Sequence, residues 1–223
     1  RRPGEVPAVI GRLSALQVRN ESVVVELVGG WEPCVEPPRV VAIGDSFVRL
    51  RLVQGDPAKR WASPRENSPL SLTNNLYGGI GFMNESSEQG YLVGSGGLLV
   101  YFNDTGGAFG WSFGQYKLST TDQLNSVWTS GNGGAWAVGN AGSIVRYALG
   151  QETRIPMSGN DQPDLRSIWG SKDAGLWVVG AHGTILRLHN DPLMFASMAS
   201  GSTAHLFGLW GCGPSDLWAV GQG

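Results

Sequence analysis

The sequence predicts an all-β fold assembled from repeated four-stranded units, and three features carry that prediction. Tryptophans recur at a fixed spacing, with Trp128, Trp169 and Trp210 lying 41 residues apart and Trp136, Trp177 and Trp218 doing the same. The chain holds 34 glycines and 12 prolines in 223 residues and only 15% charged side chains. That composition disfavours helices and favours turns. Finally, apolar residues come in short stretches bounded by Gly, Asn, Asp and Pro, without a helical period.

The repeat is whole at 124–147 (LNSVWTSGNGGAWAVGNAGSIVRY) and 165–188 (LRSIWGSKDAGLWVVGAHGTILRL). Strand A is Leu-x-x-apolar-Trp, and strand B is Trp-x-Val-Gly after a polar turn. Strand C follows a second Gly and alternates toward Arg. An outer strand D completes the unit. Looser copies lie at 76–102, where Tyr91 takes the second Trp position, and at 27–52, which carries Trp31. The pattern glycines Gly44, Gly94, Gly139, Gly180 and Gly221 stand 50, 45, 41 and 41 residues apart. Trp61 and Trp111 each fall 17 residues beyond their copy's Gly, which supports this register. Four-stranded repeats of this length are the signature of propeller blades, since one blade cannot cover both of its own faces.

The last copy, 206–223, holds strands A and B only. Strand C starts 27 residues before the next Trp at Gly142 and Gly183, and the same count back from Trp31 reaches Gly4. The sequence therefore predicts a single five-bladed β-propeller over 1–223, its ring closed by N-terminal C and D strands pairing with C-terminal A and B strands. The blades are expected near 27–66, 76–117, 123–158, 164–200, and 205–223 with 1–20. Trp169 and Trp210 are expected as packing residues between blades.

The phrases WGSKDAGLWVVGAHGTILR, WTSGNGGAWAVGNAGSIVR and WGCGPSDLWAVG resemble repeats of bacterial propeller proteins abundant in myxobacteria. The Trp-x-Val-Gly-x-x-Gly core also looks like the repeats of photosystem II assembly-factor propellers. What the resemblance implies is the fold, because the matching residues are those that pack and turn.

A net charge of −2 gives no reason to expect a nucleic-acid partner. The apolar runs SVVVELV and GLLVYF are too short for membrane insertion. The chain starts at Arg1 and reads as a mature or excised piece. Nothing marks a cofactor, and two cysteines alone make no zinc site.

A propeller's natural binding surface is the channel mouth where strand A begins. The residue before the pattern Leu is Glu26, Asn75, Gln123, Asp164 or His205 in the five copies. Beyond the pattern Gly lie Asp45, Asn140 and Gln222, with His182 one place further on in its copy. Such varied polar side chains suit an asymmetric ligand site, against the alternative of solvated loop ends. The expectation is a non-enzymatic binding module for a glycan or a protein, lectin-like in the first case. It would act as a monomer or as part of a larger assembly, secreted, periplasmic or on the cell surface. In the closed ring Asp164, His205 and Glu26 form an acid–imidazole–acid arc that would suit a divalent ion or paired-carboxylate hydrolysis. A glycoside hydrolase using Glu26 and Asp164 is therefore the second reading, and a structural scaffold the third. The polar excursion at 55–75 is an extra contact surface. Asn20, Asn84 and Asn103 begin possible glycosylation triplets.

Cys34 and Cys212 hold equivalent places in the A–B turns of copies that closure makes neighbours. A disulfide there would staple the ring and imply an oxidising compartment, the alternative being two buried thiols. The expected result of non-reducing peptide mapping is one linked pair; two free thiols would reject the bond.

Overall fold

The computed structural model describes residues 12–19, 22–28, 39–42, 48–52, 61–62, 74–84, 87–104, 111–131, 134–190, 193–213 and 215–222. Where the sequence predicts one ring, the chain divides into two compact units, Arg1–Ala42 with Phe47–Ser68 and Ile43–Ser46 with Pro69–Gly223.

The first unit contributes β1 (Arg12–Arg19), β2 (Ser22–Val28), β3 (Arg39–Ala42), β4 (Val48–Leu52) and β5 (Trp61–Ala62). They form one sheet in the order β1-β2-β5-β4-β3. β3, β4 and β5 are successive neighbours, as strands B, C and D of the repeat would be. β2 departs from the expectation. It covers the valine-rich run SVVVELV, whose β-branched side chains suit a strand. It pairs with β1 on one side and, through Val25 and Trp61, with β5 on the other. Residues 12–19 thus complete a hairpin with 22–28. Trp31, Cys34, Asp45, Asn20 and most of the 55–75 excursion lie outside the described residues.

The second unit repeats one antiparallel four-stranded sheet. The first copy is β6 (Leu76–Asn84), β7 (Ser87–Gly94), β8 (Leu98–Asp104) and β9 (Trp111–Lys117). The next is β10 (Leu124–Trp128), β11 (Gly134–Gly139), β12 (Ile144–Ala148) and β13 (Gln151–Arg154). A third is β14 (Leu165–Ser171), β15 (Gly175–Gly180), β16 (Ile185–Asn190) and β17 (Leu193–Met198). Finally β18 (Leu206–Gly213) and β19 (Asp216–Gly221) pair as a two-stranded sheet, and the expected pairing of N-terminal strands onto it does not occur among the described strands. The first strands of successive sheets lie side by side, β6 by β10, β10 by β14 and β14 by β18.

The core is correspondingly layered, with an apolar cluster in each of the first two gaps between sheets. Tyr91, Val93, Leu99, Leu124, Val127, Ala137 and Val145 fill the gap between the β6–β9 and β10–β13 sheets. Val138, Ile144, Leu165, Ile168, Val178, Leu186 and Phe195 fill the next. Neighbours Ala137 and Val138 serve different gaps because successive strand side chains point to opposite faces. A sheet buried on both faces therefore reads as a short continuous apolar run, as AWAVG and LWVVG do.

The tryptophans sit at the margins of these layers rather than at their centres. Trp128 and Trp136 pack partly buried against the second cluster, while Val138, Val178 and Leu165 are fully enclosed. In the two complete Trp-bearing sheets the B-strand Trp pairs across the ladder with the repeat's Arg. Arg146 lies 5.5 Å over the Trp136 ring and Arg187 lies 5.0 Å over Trp177, the cation–π geometry. The pattern's conserved-looking spacing of Trp and Arg is thus a cross-strand pair that shields one ring face from water.

Trp210 departs from the packing expectation. It is 44% exposed, and Val220 is 62% exposed where its repeat equivalents Val138 and Val179 are 0%. Trp169, by contrast, is covered by the following strand: a Cβ built on Gly211 would stand 3.2 Å from its ring. Trp169→Ala should therefore lower stability by about 2–4 kcal/mol and Trp210→Ala by less than about 1.5 kcal/mol. Denaturant titration of the two variants checks this, and equal losses would refute it.

Candidate functional site

The rim where the first strands begin is built on one backbone clasp. The N–H of the residue after the pattern Gly donates to the carbonyl of the residue before the pattern Leu. Ser95 donates to Asn75 at 2.9 Å, Asn140 to Gln123 at 2.9 Å, Ala181 to Asp164 at 2.8 Å and Gln222 to His205 at 2.9 Å. The pattern Gly is required by closeness. A Cβ at Gly94, Gly139, Gly180 or Gly221 would collide with the carbonyl oxygen of Asn75, Gln123, Asp164 or His205 respectively. Four of the predicted mouth residues are thereby placed by their backbones.

Beyond the clasp the chain turns through paired left-handed residues, Gly96 with Gly97, Ala141 with Gly142, and His182 with Gly183. Two consecutive positive φ values make the type I′ hairpin turn. Ala141 at φ 50° and His182 at φ 56° carry the steric cost of a side chain in that region. In both cases the next sheet supplies an acceptor. Asp164 Oδ1 accepts the Ala141 N–H at 3.2 Å, and His205 Nδ1 accepts the His182 N–H at 3.1 Å. With Nδ1 accepting, the neutral His205 ring carries its proton on Nε2. The rings of His182 and His205 also touch, centroids 4.9 Å apart. Two residues predicted as ligand groups therefore brace the preceding turn.

Gln123 is engaged as well. Its Nε2 donates to Asn125 Oδ1 at 2.7 Å, while Asn125 Nδ2 donates to Asn140 Oδ1 at 2.8 Å and to the Leu165 carbonyl at 2.7 Å. Asn75, His182 and Gln222 are exposed. Glu26 lies within β2 opposite Ala15, in the other unit. Asn84 ends β6, and Asn103 sits in β8 with a buried Oδ1 that has no hydrogen-bond partner. Cys212 lies on β18, but its expected partner Cys34 is outside the described residues.

Sequence reasoning missed the residue just after each pattern Leu. The strand register shifts there in every first strand, between Leu76 and Gly78, Leu124 and Ser126, Leu165 and Ser167, and Leu206 and Gly208. Such a bulge leaves one residue out of the ladder and re-aims its side chain. The residues are Tyr77, Asn125, Arg166 and Phe207, with Tyr77 41% and Phe207 49% exposed. Arg166 lies 5.3 Å over the Phe207 ring, its Nη2 3.9 Å from Asp164 Oδ2, and its buried Nε lacks a hydrogen-bond partner. The signal was present as a repeat position where four chemistries replace one another.

Beside the rim, Asp122 collects donors. Thr120 Oγ1 donates to its Oδ2 at 2.8 Å and Ser143 Oγ at 2.5 Å, with Arg154 Nη2 at 3.9 Å. These bonds, Ser143's foremost, hold the Asp122 carboxyl below the usual range. Thr120 and Ser143 are themselves buried, so the net ties the segment after β9 to the turn of the next sheet.

Stacked four-stranded antiparallel sheets of this kind define a propeller-type repeat protein. The chain resembles solved structures, among them two of YCF48. "YCF48 bound to D1 peptide" is 14% identical with a TM-score of 0.52, and the match covers 83% of this chain and 59% of that one. "YCF48 from Cyanidioschyzon merolae" is 17% identical with a TM-score of 0.54, covering 82% and 61%. The chain thus spans less than two thirds of the length of either. At this identity the likeness is one of fold, and it accords with the propeller resemblance of the repeats. No protein-family model matches the chain, and no curated protein matches it.

The Asp122 net has a pH signature. A carboxyl held low in the folded state contributes stability above its ordinary pKa of about 3.9, and that contribution is lost as pH falls through the folded value. Asp122→Asn should melt lower than the wild type at pH 7, and the difference should shrink below about pH 4. A constant difference across an acid titration of melting temperature would refute the assignment.

Proposed function

We propose that the chain is a non-enzymatic, protein-binding propeller module that reads its partner with the side chains of the rim. The observation that carries this reading is that a structure of the same fold, YCF48, is a complex with a D1 peptide. The rim's construction supports it. A backbone clasp and turn repeat from sheet to sheet, while the side chains mounted on them differ. That division lets one rigid frame present an asymmetric surface.

The proposed contact residues are Arg166, Phe207, His182 and His205, with Asn75, Asn140 and Gln222 around them. Aromatic rings and arginine are the groups that dominate protein interfaces. Arg166 adds a specific demand, because a partner's carbonyl or carboxylate would supply the acceptor its Nε lacks. The five-blade ring and an exported or surface location belong to the same proposal.

A photo-crosslinking residue placed at position 207 should trap partner peptides, while the same residue at position 172, in the turn between β14 and β15, should not. Arg166→Ala should lower the yield at 207 by about tenfold or more. Equal trapping at both positions, or none at 207 in the presence of a partner bound elsewhere, would overturn the rim assignment.

A further inference from the structure

The β6–β9 sheet breaks the repeat at one place. Where the next two sheets pair Trp136 with Arg146 and Trp177 with Arg187, this sheet pairs Tyr91 with Tyr101. A cation–π lid is thus replaced by two phenols. The space beside them is a cleft of about 710 Å³ between the outer strands of the first two four-stranded sheets. Tyr91 and Tyr101 form its floor, and Gln115, Tyr116, Lys117 and Tyr147 its walls. Four of the chain's five tyrosines line it.

We propose that this cleft binds an extended, proline-rich peptide segment with an acidic residue at one end. Three observations converge on that class. The rings stand in two tilted pairs, Tyr91 with Tyr101 at 5.3 Å and 53° and Tyr116 with Tyr147 at 4.9 Å and 41°. Tilted pairs leave notches between ridges. These accept the puckered rings of a polyproline II helix, whereas a pyranose stacks best on one flat open face. Polyproline II has no internal hydrogen bonds, so its carbonyls seek donors, and aromatic grooves with donors are the established way to read it. The cleft offers phenol hydroxyls, the Gln115 amide and the Lys117 ammonium.

The charges agree with this occupant. Glu152 also lines the cleft, but its carboxylate is taken by Ser119, whose N–H donates to Oε2 at 2.7 Å and whose hydroxyl donates to Oε1 at 2.5 Å. Lys117 has no ion pair among the described residues, and it leaves a positive end for an acidic group. Burial raises the phenols of Tyr91, Tyr101 and Tyr147 above their ordinary pKa, and Tyr147 is raised further by Tyr116, to which it is hydrogen-bonded.

The lip supplies the third observation. Leu149 is 93% exposed and sits at φ 52°, beside Gly150 at φ 78°. The two residues form the type I′ turn of the β12–β13 hairpin, and that turn holds an apolar side chain out at the lip of the cleft. Against a proline ring the same side chain gains an apolar contact.

The inference goes beyond the rim reading and is tested apart from it. The probe is a fluorescein-labelled decaproline carrying one terminal glutamate, titrated into the full chain by fluorescence anisotropy. Saturable binding is expected, weakened about three- to tenfold by Tyr116→Ala and less by Tyr116→Phe. Lys117→Gln should remove the preference for the glutamate-bearing probe over plain decaproline without altering the fold. Equal binding of a Gly-Ser peptide of the same length and charge would overturn the proposal. So would the absence of saturable binding at millimolar probe, or binding of cello-oligosaccharide in its place. A rim crosslink that persists in Tyr116→Ala would leave the protein-binding reading intact.

Discussion

The hydrogen bond from the residue after the pattern Gly to the carbonyl before the pattern Leu fixes the start of each first strand against the end of the second. It admits only glycine at the closing position, since a Cβ there meets that same carbonyl. Once the clasp is closed, the type I′ turn beyond it is set, and with it the depth at which the third strand enters the sheet. The bulge after the pattern Leu follows from the same constraint, because the clasped first residue and the paired third residue differ in register. Frame and recognition surface are therefore products of one local geometry.

The sheet architecture was legible because burial on both faces leaves a strong mark. Runs such as AWAVG and LWVVG, recurring at a fixed interval and ended by Gly, can be covered only by neighbours of the same kind. The tryptophans are expected to pack between blades, and Trp128, Trp136 and Trp169 do so, though at the margins of the layers. Ring size suggested core, but Trp136 and Trp177 are lidded by Arg146 and Arg187 at the sheet margin, and Trp210 stays exposed. A sequence shows that Trp and Arg share a period. It does not show that they share a ladder rung unless the pairing register is known. In the first copy the strand covers the valine run at 22–28 and pairs with β1 and β5, while residues 29–38 lie outside the described residues.

The polar positions were legible as positions and misleading as chemistry. Asp164 and His205 have the side-chain types of a ligand site, yet each spends an acceptor on the strained turn of the preceding sheet. Whether a carboxylate or imidazole is free depends on which N–H lies opposite, and that N–H belongs to a residue 23 positions away. The bulge residues and the tyrosine cleft escaped for the opposite reason. The bulge recurs while its residue changes, and the Tyr91–Tyr101 pair departs from the repeat outright; a search for recurring residues passes over both. Tyr91 stands at the Trp position in the sequence, and its ladder partner Tyr101, in the Arg position, completes the exchange of a cation–π pair for two phenols.

The braces at Ala141 and His182 point one way along the stack: each turn is held by a side chain from the sheet that follows it. Stability in such arrays is a sum of unit terms and nearest-neighbour couplings. Each brace is one such coupling, and it acts reciprocally on the two sheets it joins. Opening β18–β19, whose outward face carries the exposed Trp210 and Val220, withdraws His205 and frees the His182 turn; loosening of that sheet withdraws Asp164 and frees the turn at Ala141. Each turn is therefore as firm as the sheet that supplies its acceptor, and amide exchange at Ala141 and His182 should quicken whenever the sheet bearing Asp164 or His205 loosens.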